Sequence, residues 1–176
     1  MAMQIGNGLQ AAGYSTWLYE SDSLPGPAYL LQMGEAIEQS QAVVIIISQH
    51  SMASNQVTSE VVRAHEGNKP FIPLLHGVTQ AEFQQGQPLW RQAIGASTSI
   101  AIDEGNIPAL TERVARGLDA MEIRPGQAPA AAPTPAPSSH DQQAQTADDD
   151  LPTGPITYLF TDIEGSPVSG RNTLMR

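Results

Sequence analysis

The amino-acid sequence predicts an α/β domain in which helices cover both faces of a parallel β-sheet. Up to about residue 122, apolar positions alternate between helix-like and strand-like spacing, which is typical of helices wound around such a sheet. The run 42–47 is apolar without interruption, as expected for a central strand that is buried on both faces. From Pro125 to Asp150 the sequence has no aromatic or large aliphatic residue, so this stretch cannot form a core.

Strands and helices alternate along the chain, beginning with a helix. We predict strands at residues 14–19, 42–47, 71–75 and 98–102. Four amphipathic helices are marked by apolar stripes at Ile5 and Leu9, at Leu30, Met33 and Ile37, at Val57, Val61 and Ala64, and at Ile107, Leu110, Val114 and Leu118. Gly13 ends the first helix, and residues 20–27 are predicted to form a loop.

Single residues refine these elements. Ser54 can cap the third helix with its hydroxyl group. Pro73 lacks a backbone N–H, so its strand should leave one side partly unpaired or bulged. Residues 76–97 are predicted only as a variable segment between two strands.

Composition excludes several classes of function. Eight Lys and Arg residues stand against eighteen Asp and Glu residues, and the formal net charge is −10. Such a chain repels nucleic acid and anionic lipid surfaces, so neither is an expected partner. There is no Cys, which excludes disulfides and thiolate metal sites. Without a long apolar segment or a signal-peptide pattern, we expect a soluble cytoplasmic protein with no membrane contact.

The chain divides into three predicted regions. Residues 1–122 form the α/β domain, residues 123–154 form a disordered linker rich in Pro and Ala, and residues 155–176 begin another domain. The Asp triplet at 148–150 is interpreted as a solvated charge run, because a flexible chain would lose too much entropy in holding a metal ion.

The residues of the first region carry a family resemblance. The stretches 11–14, 17–18, 23–26 and 43–48, and then Ser54, Glu60, Ala64 and residues 69–75, resemble in order the bacterial type of the Toll/interleukin receptor (TIR) domain. The resemblance implies a flavodoxin-like sheet whose first strand lies in the middle. Because this chain begins within the helix that follows that strand, we expect an incomplete domain. A gap should lie between the strands at 14–19 and 42–47, with unpaired backbone edges.

The resemblance also implies a chemistry. Enzymatic TIR domains cleave NAD at the nicotinamide–ribose bond, and Glu60 occupies the position of their essential carboxylate. NAD is the implied substrate, and no cofactor is implied. Leu24, Pro25 and Gly26 match the loop that contributes to assembly with other TIR domains and to the NAD site. Trp17 either faces the cleft or belongs to the core. Gln56 replaces an aromatic residue of the family, and with the missing strand this predicts impaired activity.

A second resemblance follows the linker. Residues 156–166 resemble the first strand of a class III adenylate/guanylate cyclase domain, in which Asp162 would hold divalent metal ions. The rest of that domain would lie beyond Arg176, so we expect no cyclase activity.

Three functions stay open at this stage. The chain is a NAD-cleaving enzyme, a non-catalytic module that associates with other TIR domains, or an inert remnant of a TIR-regulated cyclase. Our main prediction is intracellular signal transduction through a TIR domain, with NAD hydrolysis as the ancestral activity and that activity impaired in this chain.

Overall fold

The computed structural model describes residues 1–24, 29–126 and 156–160. The helices are α1 (Ala2–Ala11), α2 (Tyr19–Asp22), α3 (Tyr29–Gln39), α4 (Gln49–Ala53), α5 (Asn55–Glu66), α6 (Gln80–Gly86), α7 (Pro88–Ile94) and α8 (Ile107–Ala120). The strands are β1 (Ser15–Leu18), β2 (Ser40–Ile47), β3 (Phe71–Leu75), β4 (Ile100–Ala101) and β5 (Ile156–Phe160). No described helix is long and apolar enough to cross a membrane.

The five strands form one parallel sheet in the order β1-β5-β2-β3-β4. The predicted fold class, a parallel sheet with helices on both faces, is therefore confirmed. The strands predicted at residues 14–19, 42–47 and 71–75 are present with small shifts at their ends, and the strand predicted at 98–102 is reduced to two residues.

The central position of the sheet is filled, and the expected gap is absent. Strand β5 lies between β1 and β2, with Trp17 in register with Tyr158 on one side and Val43 in register with Tyr158 on the other. The prediction of unpaired edges on β1 and β2 was wrong, because it considered only a strand placed before α1. The segment that resembles the start of a cyclase domain thus forms a strand, and that strand pairs within this sheet.

Two apolar layers cover the two faces of the sheet. On one face α1 and α8 pack over alternate positions of β2, such as Val44 and Ile46. On the other face α3, α5, α6 and α7 pack over Val43, Ile45 and Ile47. This alternation explains the uninterrupted apolar run of β2, since successive side chains enter opposite cores.

Strand β3 shows the consequence of Pro73. It pairs with β2 along its whole length, whereas it pairs with β4 only at Leu74 and Leu75. The side towards β4 is thus partly unpaired, as the missing N–H of Pro73 predicts.

Four short helices depart from the sequence prediction. Helix α2 occupies the start of the segment predicted as a loop, and α4 precedes the helix capped by Ser54. Helices α6 and α7 lie in the segment predicted only as variable. Ser48 caps α4 and Thr79 caps α6, each through a capping box in which side chain and backbone exchange hydrogen bonds.

Candidate functional site

Helix α5 places Glu60 at the border of the core. Ser54 caps the helix by accepting a hydrogen bond from the backbone N–H of Val57 at 3.3 Å. Val57 and Val61 face the sheet and are buried. Glu60 borders their stripe on the helical wheel, and only 7% of it is exposed. A carboxylate with so little solvent around it interacts strongly with whatever charge enters the neighbouring space.

An open cleft of about 420 Å³ lies between α3 and α5. Apolar and small residues of α3 form one wall, and polar residues of α5 form the other. The lining residues are Met33, Gly34, Ile37, Asn55, Gln56, Ser59, Glu60 and Arg63. The Gln56 amide Nε2 donates a hydrogen bond to Glu60 Oε1 at 3.3 Å. The carboxylate therefore faces the cleft with one oxygen held by a neighbour one helical turn away.

Arg63 brings a positive charge to the same cleft. Its guanidinium group lies over Gly34, where a Cβ atom would come within 2.6 Å of Arg63 Cζ. Arg63 Nη2 also pairs with Glu38 Oε1 at 3.5 Å, although both side chains are largely solvated. Gly34 thus makes room for a cation at the mouth of the cleft. Together, Glu60 and Arg63 suit a ligand that develops positive charge at one end and carries negative charge at the other.

Two contacts from outside the cleft fix its walls. Trp90 of α7 is fully buried, and its Nε1–H donates to Thr58 Oγ1 of α5 at 3.1 Å. Lys69 Nζ, just after α5, donates to the carbonyls of Glu38 at 2.6 Å and Ser40 at 2.7 Å, at the end of α3. Burial lowers the pKa of Lys69, and the nearby Glu38 carboxylate partly offsets this effect. Sequence reasoning missed both contacts. For Trp90 the cause is that its segment was predicted only as variable.

The other predicted site residues lie apart from the cleft. Trp17 is 3% exposed and belongs to the core cluster that also contains Met33 and Ile37, so the structure buries it beneath the α3 wall. Leu24 is exposed, and its backbone N–H and C=O bond to the side-chain amide of Gln32 at 2.6 and 3.0 Å. Pro25, Gly26 and Asp162 lie outside the described residues.

Metal chemistry has no candidate site in the part of the chain that the structure describes, where no group of three His, Asp or Glu side chains converges. His76 Nε2 instead contacts Glu104 Oε1 at 2.6 Å near the end of β3. Asp162, the predicted metal ligand of an intact cyclase domain, stays a prediction.

Comparison with protein families decides the class. The model of the TIR domain family matches residues 1–104, which is more than half of the 176 residues. This chain belongs to the TIR domain family. Searches of curated proteins and of solved structures return no match. The matched residues of this TIR domain include α3, α5 and the whole cleft, while the bacterial type and the cyclase resemblance stay predictions.

Proposed function

We propose that this TIR domain acts in signalling by cleaving NAD in the cleft between α3 and α5. The observation that carries the proposal is Glu60, a nearly buried carboxylate that lines a cleft of about 420 Å³. Such a volume lies within the range of small-molecule sites, which combine apolar walls with a few polar groups. Met33 and Ile37 supply the apolar wall, and the residues of α5 supply the polar groups.

The reaction follows from the carboxylate. The bond between ribose C1′ and the nicotinamide nitrogen breaks, and its electron pair leaves with nicotinamide, which becomes neutral. Positive charge develops at C1′ and the ring oxygen, where the Glu60 carboxylate stabilises it, as carboxylates do in glycoside hydrolysis. Water then bonds to C1′ and releases a proton, which gives ADP-ribose. Arg63 lines the same cleft, and we expect it to bind the diphosphate of the substrate, because guanidinium groups bind phosphate oxygens with charge-assisted hydrogen bonds.

The proposed activity is impaired by the residue beside the carboxylate. Gln56 stands where the resemblance predicts an aromatic side chain, and its amide binds Glu60 Oε1. This hydrogen bond occupies one acceptor oxygen of the carboxylate, which must turn to the ribose during the reaction. Replacement of Gln56 by Phe removes this hydrogen bond and offers a flat apolar surface. We expect this variant to raise the rate of nicotinamide release.

The test measures nicotinamide release from NAD by the full chain. Glu60→Gln keeps the size of the side chain and removes its charge, so the rate should fall by about 100-fold or more. Glu66→Gln is the matched control, since Glu66 lies on the same helix, is exposed and does not line the cleft. Equal rates in wild type and Glu60→Gln would refute the catalytic role. If neither the wild type nor the Gln56→Phe variant cleaves NAD detectably, the proposed cleavage is refuted and the second candidate function is favoured.

The second candidate is a non-catalytic module that associates with other TIR domains. Two large apolar side chains favour it, because Leu24 is 53% exposed and Leu31 is 65% exposed. Their two segments are joined, since the side-chain amide of Gln32, next to Leu31, binds the backbone of Leu24. Exposed apolar side chains form the apolar centre of many interfaces.

Sedimentation of the full chain over a range of concentrations tests this association. Changing both Leu24 and Leu31 to Ser should weaken self-association without changing the fold. Leu89→Ser is the control, because Leu89 is similarly exposed but lies on a different helix, α7. If the control weakens association as much as the double variant does, Leu24 and Leu31 do not form the interface.

A further inference from the structure

Strand β1 depends on β5 for its place in the sheet. Within the described residues, β1 forms ladder pairs with β5 alone, at four register positions from Ser15–Ile156 to Leu18–Leu159. β5 in turn pairs with β2 at five positions. Removal of β5 would therefore leave β1 without any backbone ladder, and β2 without one of its two neighbours. The two parts of the sheet are joined by a strand that is distant in the sequence.

The same strand underlies the candidate site. Helix α3, which forms the apolar wall of the cleft, packs over both β5 and β2. Trp17 of β1 packs in one cluster with Met33 and Ile37 of that wall. The sequence Ile-Thr-Tyr-Leu-Phe is rich in β-branched and aromatic residues, as suits a strand in the interior of a sheet. The position of β5 thus bears directly on the position of α3.

The connection to β5 is much longer than the gap it spans. The backbone N–H of Gly126 donates to the carbonyl of Gly13 at 3.2 Å, two residues before the position that pairs with Ile156. The two ends of the connection are therefore on the order of 10 Å apart. The 29 residues numbered 127–155 have a contour length of roughly 100 Å. The covalent connection is therefore long enough for β5 to lie either within the sheet or away from it.

We propose that the space between β1 and β2 is a strand-docking site. Its occupant is Ile156–Phe160 of the same chain, and its docking holds the α3 wall of the cleft in place. The segment that begins the C-terminal region is then a tethered central strand of the TIR domain. Any event that withdraws it loosens the cleft. The link to catalysis rests on the function proposed above, but docking itself does not.

A disulfide tests the docking in the full chain, because the natural sequence has no Cys. Thr16 and Thr157 are register partners, so the double variant Thr16→Cys/Thr157→Cys should form a disulfide within one chain. The control Thr16→Cys/Ile156→Cys is out of register by one residue, which places its two positions on opposite faces of the sheet. It should oxidise far more slowly. Equal oxidation of both pairs would overturn the proposal. A disulfide between two chains would also overturn it, because the occupant would then be a second copy.

A proline variant tests the link to the cleft. Tyr158→Pro removes a backbone donor from the middle of β5, and Gln145→Pro makes the same substitution in the linker. Amide hydrogen exchange should become about 100-fold faster or more in β1 and α3 of Tyr158→Pro, with smaller changes in β3 and α8. Gln145→Pro should match the wild type. If hydrogen exchange in Tyr158→Pro is the same as in the wild type, the proposal is overturned. If exchange becomes equally fast in all elements, β5 stabilises the whole domain and does not specifically hold α3 in place. Neither experiment requires NAD cleavage, so a failure of the proposed function would be recognised separately.

Discussion

Replacement of Gly34 by Ala should separate the stability of the fold from the chemistry of the cleft. Gly34 lies within α3 at the wall of the cleft, directly under the guanidinium group of Arg63. A new Cβ atom would overlap that group, which is the free end of a flexible side chain that is 48% exposed. The guanidinium group can therefore move into solvent at little cost, but it then leaves the cleft.

The expected change in stability is small because two contributions nearly cancel. Ala is more favourable than Gly in a helix by about 0.5–1 kcal/mol. The ion pair between Arg63 and Glu38 would be lost, but exposed pairs are worth only about 0.2–1 kcal/mol. The free energy of unfolding should thus stay within about 0.5 kcal/mol of the wild-type value. Urea unfolding followed by Trp fluorescence measures this difference.

The expected change in substrate binding is much larger. Hydrogen bonds to charged groups contribute about 1.5–3 kcal/mol. If Arg63 binds the diphosphate of NAD as proposed, its removal from the cleft should raise the KM for NAD by roughly tenfold to hundredfold. Because the diphosphate is remote from the bond that breaks, kcat should change little. Steady-state kinetics of nicotinamide release give both constants.

A double-mutant cycle tests whether Gly34→Ala acts through Arg63. Arg63→Ala should raise KM by a similar factor, and adding Gly34→Ala to that variant should have no further effect, because the displaced group is already absent. If Gly34→Ala raises KM equally in the presence and absence of Arg63, the alanine acts by narrowing the cleft. A loss of stability above about 1 kcal/mol would show that the guanidinium group cannot move aside.

Three further predictions concern contacts that hold the domain together. The Tyr14 hydroxyl donates to Asp119 Oδ1 at 3.0 Å, and burial together with this bond raises the pKa of Tyr14 to about 12 from 10. The unfolded chain therefore loses the phenolic proton first, so the contribution of Tyr14 to stability should be constant below pH 10 and should be lost between pH 10 and 12, by about 1–2 kcal/mol. Tyr14→Phe should lack this part of the decrease in urea titrations. Lys69→Met removes two hydrogen bonds to carbonyls at the end of α3 and should cost about 1–3 kcal/mol of stability, measured by thermal unfolding. Trp90→Phe leaves Thr58 without its donor and opens a small cavity, so it should cost about 1–3 kcal/mol, with faster hydrogen exchange in α5 than in α8.

The elements that sequence reasoning predicted well are those with a strong local pattern. Strand β2 is a continuous apolar run, and α5 combines a Ser cap with an amphipathic stripe. Both signals are contained within about a dozen residues, so they do not depend on the rest of the fold. The position of Glu60 at the edge of that stripe was accessible for the same reason.

The short helices escaped prediction because four to seven residues make too few turns to show a periodicity. One signal was available, since Thr79 followed three residues later by Glu82 has the pattern of a capping box. Trp90 gave no such signal, because a single aromatic residue in a polar segment does not reveal which helix it will contact. The part of the cleft that depends on α7 could therefore not be read from local sequence.

The placement of β5 depends on information of a different kind. The segment 156–160 was recognised as a strand, and the central gap was recognised as a place that needs one, but the two were assigned to separate domains. Local sequence shows that a segment is extended and apolar, whereas its pairing partner is decided by long-range contacts across the linker. An unpaired central gap and an unpartnered apolar strand in one chain should be considered together, since each would be costly if left alone.

The two walls of the cleft are held in place by contacts with residues that lie at different distances along the sequence. Lys69 joins the chain after α5 to the carbonyls of Glu38 and Ser40, at the end of α3. Trp90 of α7 holds α5 through its hydrogen bond to Thr58, and β5 packs against α3. Because α3 depends on β5 and α5 depends on α7, the two walls can loosen separately. Weakening of β5 should widen the cleft from the apolar side and leave Glu60 in place, whereas loss of Trp90 should displace the carboxylate itself. The two perturbations should therefore differ in kinetics, with KM for NAD affected first in the former and kcat in the latter.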